Sequence, residues 1–89
     1  MRVIGNIPHP SMRITVFIMN DKYVMKFEAG PLEQAFKIPL TEVKAMEGIE
    51  KMLDEEFMKK VVERFNEMFI SFQQAREKHL PSASERGQE

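Results

Sequence analysis

Two runs rich in β-type residues, Met12 to Met19 and Lys22 to Glu28, are separated only by Asn20 and Asp21. That spacing restricts the chain more than any other feature it carries. Ile14, Thr15, Val16 and Ile18 are β-branched and favour an extended backbone in the first run. Asn and Asp both tolerate the positive φ that a two-residue type I′ turn requires. A hairpin closed in this way sets Met19 opposite Lys22, and so places Ile18 opposite Tyr23, Val16 opposite Met25 and Ile14 opposite Phe27 on one face. The opposite face receives Phe17 with Val24, Thr15 with Lys26, and Arg13 with Glu28. The first of these faces is the expected core.

Further strands follow from the punctuation around the hairpin. Gly30 and Pro31 form a turn, because proline lacks an N–H and presets φ. Leu32 to Ile38 then resumes alternation, with Leu32, Phe36 and Ile38 on the core side. Gln34 shares that phase and breaks the apolar pattern, so it belongs near a sheet edge or on a hydrogen-bond partner. Upstream, Arg2 to Ile7 can add a fourth strand, ended by Pro8 and Pro10.

Near Leu40 the pattern changes to Glu, Lys and Met at helical spacing. Thr41 to Met46 reads as a connection and Glu47 to Leu53 as a short helix containing Gly48. Asp54 is placed to cap a longer helix, with Glu55 and Glu56 in the first turn, where the backbone dipole favours carboxylates. From there to about His79 neither Gly nor Pro intervenes, and Phe57, Val61, Phe65, Met68 and Phe72 form an apolar stripe expected to hold the helix to the sheet. Met58, Val62 and Phe69 flank the stripe and widen it to roughly 140°, beyond the ~100° that a surface helix needs.

Length adds to this excess. A helix of about 25 residues spans roughly 37 Å, whereas an eight-residue strand spans only about 26 Å. Phe69 and Phe72 lie toward the overhanging end, and a Phe side chain left in water forfeits roughly 2 kcal/mol. A second copy of the chain is the expected cover, with Met58, Val62, Phe69 and Phe72 as the contact residues of a homodimer.

The 89 residues suit a single domain, here expected over 1–80, with 81–89 as a flexible tail lacking large apolar side chains. With 43% hydrophobic and 30% charged residues the composition is that of a globular protein. The absence of Cys excludes disulfides, thiolate nucleophiles and Cys-based zinc sites. The longest early apolar run, Val16 to Met19, is too short for a signal peptide core or a membrane span, and a cytoplasmic location with no membrane partner is expected. A net charge of -1 selects neither a polyanion nor a polycation.

A search for catalytic chemistry returns little. There is no Gly-rich phosphate loop, nucleophile elbow, His-Glu-x-x-His or calcium loop. His9, between Pro8 and Pro10, is the one candidate acid or base. Standing alone it reads as a turn residue, and a cleft beside it holding a carboxylate would reopen an enzymatic reading. Asp54, Glu55 and Glu56 are explained by capping rather than metal binding, and no cofactor or metal is expected. The eight Met residues read as core filling. The outer sheet face is more suggestive, since Arg2, Arg13, Lys22, Lys26 and Lys37 share its phase with Phe17, opposed by Glu28 and Glu33. Basic groups around an aromatic can hold single-stranded nucleic acid by phosphate contact and base stacking.

The segments Ile7-Pro8-His9-Pro10, Asn20-Asp21-Lys22-Tyr23 and Lys26-Phe27-Glu28-Ala29-Gly30-Pro31-Leu32-Glu33-Gln34-Ala35-Phe36-Lys37 resemble a family of short uncharacterised Bacteroidetes proteins, to which no activity is attached. In element order the chain is also similar to the β-β-β-β-α unit of the Whirly and PUR families, which implies paired units that bind single-stranded nucleic acid. The expectation is therefore an α+β domain: an antiparallel sheet of three or four strands with a long C-terminal helix on one face. It is expected to act as a non-enzymatic homodimeric interaction module, with a protein partner. The alternative is single-stranded nucleic-acid binding through Arg13, Phe17, Lys22, Lys26 and Lys37.

Overall fold

The computed structural model describes residues 1–80. The expected tail, 81–89, lies outside the described residues. Four strands, β1 (Arg2–Ile7), β2 (Arg13–Met19), β3 (Lys22–Ala29) and β4 (Leu32–Pro39), precede two helices, α1 (Met46–Met52) and α2 (Glu55–His79). The strands form one antiparallel sheet in the order β1-β2-β3-β4, and the fold is α+β.

The hairpin has the register expected of it, from Arg13 opposite Glu28 to Met19 opposite Lys22. Asn20 and Asp21 sit at φ 54° and 62°, which only a turn of the primed type demands of two successive residues. The β3–β4 turn uses Gly30 at φ 59°, a left-handed conformation that glycine adopts without steric cost. Gln34 meets both of its expected conditions. It lies on the edge strand β4, half-buried, and its Nε2 donates to the Val61 carbonyl at 3.0 Å.

Both helices pack on the same sheet face. Ile49 of α1 and Val61 and Phe65 of α2 share one buried cluster with Ile14, Val16, Tyr23, Met25 and Phe27. Phe27, Phe36 and Phe57 interlock at ring-centroid separations of 5.4 to 6.2 Å, two of the three pairs edge-on. Such pairs add about 0.5–1.5 kcal/mol beyond the area they bury. Asp54 caps α2 by accepting a hydrogen bond from the Phe57 backbone N–H at 2.9 Å.

Two expectations need correction. A bulge between Val3 and Gly5 shifts the β1 register, so that Val3 faces Phe17 while Arg2 faces Ile18. Arg2 therefore leaves the outer-face row to which strict alternation assigns it. The extra residue lets Ile4 pack on the core, and Gly5 lies so close to α1 that an added Cβ would come within 2.9 Å of Met46 Cε. The second correction concerns the α2 stripe. Val61 and Phe65 are buried, Phe57 and Met68 pack on the core partly buried, but Phe72 is 42% exposed and lies past the sheet. The helix outruns its platform, and the molecule measures 51 × 28 × 19 Å with a radius of gyration of 16.5 Å. A compact chain of this size would have a radius of about 12 Å.

Candidate functional site

Two surfaces carry the residues singled out by sequence, and the structure divides them sharply. The outer sheet face is covered by neither helix. Along it Lys37 lies diagonal to both Lys22 and Lys26, because Val24 faces Lys37 while Lys22 faces Pro39 and Lys26 faces Ala35. Diagonal neighbours are about 7–8 Å apart, so these three lysines form one group. Arg13 stands apart from them, opposite Glu28 in a row that continues to Glu33 on β4. Lys26 Nζ is 3.9 Å from Glu28 Oε2, a half-exposed pair worth little in stability but sufficient to offset part of its charge.

Phe17 does not stand open on this face as a stacking platform requires: it is only 9% exposed, and its neighbour Val24 only 3%. Both occupy central strands between the rows Met19–Lys22 and Thr15–Lys26. Phe17 faces Val3 of β1 on one side and Val24 of β3 on the other. The aromatic and the basic groups are thus brought together, with the ring screened.

The second surface is the far side and distal half of α2. Every residue from Phe69 to Leu80 is exposed, among them Phe69 at 49%, Phe72 at 42% and Leu80 at 54%. Arg76 holds its guanidinium carbon 5.6 Å from the centre of the Phe72 ring, the geometry of a cation–π contact. At the proximal end, Met58 and Val62 are half-buried and line a groove of about 660 Å³ together with His9, Glu55, Glu56 and Lys59. The four residues expected at a dimer contact therefore split into a groove-lining pair, Met58 and Val62, and a protruding pair, Phe69 and Phe72.

His9 is the groove residue that sequence reasoning could not place, since the loop after β1 meets the start of α2 only in three dimensions. Its Nδ1 accepts a hydrogen bond from the Ser11 backbone N–H at 3.1 Å and lies 3.2 Å from Ser11 Oγ. The donated N–H fixes Nδ1 as an acceptor, so the ring is oriented by its own loop. Glu55 and Glu56 line the same groove, so a cleft holding carboxylates does lie beside His9, which is the condition set for reopening an enzymatic reading. Among the described residues neither carboxylate hydrogen-bonds to His9, whose ring is held by Ser11 instead. Among the described residues no group of three or more His, Asp or Glu side chains is arranged to hold a metal ion. No described helix is long and apolar enough to cross a membrane.

A smaller pocket of about 330 Å³ opens between β4, the end of α1 and the start of α2, lined chiefly by Met25, Phe36, Ile38, Met52, Leu53 and Phe57. Met25, Phe36, Ile38, Leu53 and Phe57 belong to the core or pack on it, while Met52 is 42% exposed. No protein-family model, curated protein or solved structure matches this chain.

Proposed function

We propose that this protein is a non-enzymatic interaction module that works as a homodimer through α2. The observation that carries the reading is the exposure of Phe69, Phe72 and Leu80 on a helical arm with no sheet beneath it. A monomer gains nothing from extending a capped helix past its platform, because isolated helical turns are marginal in water. A partner surface gives those turns their stability.

The test is sedimentation equilibrium across low to high micromolar concentration. The wild-type chain is expected to sediment as a reversible dimer, and the double substitution Phe69→Asp with Phe72→Asp as a monomer with unchanged circular dichroism below residue-level resolution. A wild-type chain that stays monomeric throughout would overturn the proposal.

Single-stranded nucleic-acid binding remains the second reading, favoured by the Lys22, Lys26 and Lys37 group on an uncovered face. It is the weaker one, since Phe17 is screened and Arg13 sits beside Glu28. Fluorescence anisotropy with a labelled oligonucleotide at low salt decides it. Binding that weakens with salt and is lost on Lys26→Glu supports this reading, and no binding at low salt ends it.

A further inference from the structure

Resting on the dimeric reading, we infer that two copies pair their α2 helices antiparallel, so that Phe72 of each enters the groove formed by His9, Met58 and Val62 of the other. Three observations converge on this orientation. The first is the spacing of the residues. Met58, Val62, Phe65, Phe69, Phe72 and Arg76 recur at alternating steps of four and three, which is the seam of a two-helix coiled coil. This seam shares Phe65 and the partly buried Met58 with the core, whereas Val62, Phe69 and Phe72 are not consumed by the sheet.

The second observation is shape. The proximal half of the seam is concave, because the loop carrying His9 rises beside Met58 and Val62 to wall the 660 Å³ groove. The distal half is convex, with Phe69 and Phe72 protruding. Only an antiparallel pair lays the convex half of one copy on the concave half of the other. A parallel pair would set protruding rings against protruding rings and leave both grooves empty.

The third is charge. The first turn of α2 carries Glu55 and Glu56, with Lys59 a turn further on, and its last turn carries Arg76, Lys78 and His79 against one carboxylate, Glu77. Antiparallel pairing brings the acidic start beside the basic end and also opposes the two helix dipoles, whereas parallel pairing gathers like charges at both ends. Centring the pair so that Val62 faces Phe72 of the second copy places Phe65 opposite Phe69 and Met58 opposite Arg76. Glu55 then comes within reach of Arg76 of the second copy. The contact is the same patch on both molecules and closes on itself, as a two-fold dimer requires.

The chain contains no Cys, so one engineered Cys gives one label per molecule. Glu77→Cys carries a nitroxide on the face of α2 away from the seam. In the antiparallel dimer the two labels lie about 30 Å apart or more, from ten residues of rise on each side of the two-fold axis. Parallel pairing sets the two labels at one height, where an interaxial distance of about 10 Å and the two outward label arms leave them about 25 Å apart or less.

A dipolar spectrum centred near the longer distance supports the inference. The shorter distance overturns the orientation while leaving the dimer intact, and absence of coupling in a sample that sediments as a monomer overturns the dimer itself. Charge reversal gives an independent reading by sedimentation. Glu55→Lys is expected to weaken association about threefold at low salt and Glu55→Lys with Arg76→Glu to restore it, in line with exposed ion pairs. A Glu55→Lys variant that associates as tightly as wild type would count against the antiparallel contact.

Discussion

Phe65 is only 6% exposed, in the cluster that α2 shares with β2, β3 and α1, and its loss is felt directly. Replacing it by Ala is expected to cost about 3–5 kcal/mol in urea denaturation, a large share of a small domain's stability. A cost below about 1 kcal/mol would remove it from the core. Asp54→Ala removes the side-chain oxygen that accepts from Phe57 N–H, with an expected cost of about 1 kcal/mol and no change in fold. Asp21→Gly should act in the opposite sense, raising the thermal midpoint, because Asp21 sits at φ 62° where an L side chain is strained and glycine is not. At this scale sequence reasoning worked where chemistry forced the outcome. Gln34 has one polar end in an apolar row, and only an edge position with an acceptor such as Val61 O could accommodate it. It failed at Phe17, where alternation gives the face correctly but cannot say that the ring, between Val3 and Val24, is only 9% exposed.

Elements differ in how firmly they are held, and α2 contains both extremes. Its proximal half is pinned by Val61 and Phe65, while every residue from Phe69 to Leu80 is exposed. Amide hydrogen exchange in 70–78 is therefore expected to be fast in dilute solution and to slow as concentration rises. Exchange that stays fast at every concentration would speak against pairing through this arm. The hairpin register was readable because turn length and both face patterns agree on it, and α2 because a cap is followed by 25 uninterrupted helical residues. The β1 bulge escaped because Val3, Ile4 and Gly5 alternate no less well in the unbulged register. Gly5 was the one available signal, since glycine within a strand marks bulges and close approaches, and here Met46 makes that approach. For the same reason Gly5→Ala should be mildly destabilising, as it displaces only the flexible end of Met46.

At the scale of the whole molecule, the length of 51 Å against a thickness of 19 Å reflects a body with an arm. The overhang was predictable from element lengths alone, but the groove that would receive it was not. His9 and Glu55 are brought together by the crossing of α2 over the sheet, which no local pattern encodes. If the arm is the contact, its substitutions should change association and leave the midpoint of monomer unfolding nearly untouched, whereas Phe65→Ala should lower both. The β1 irregularity has one more effect. A straight outermost strand offers its unpaired amides and carbonyls as a template on which other molecules can stack without limit. The displaced ladder between Val3 and Gly5 spoils that template along one flank of the sheet. Growth into fibres is thereby discouraged on that side, and self-recognition can be confined to a surface that saturates at two copies.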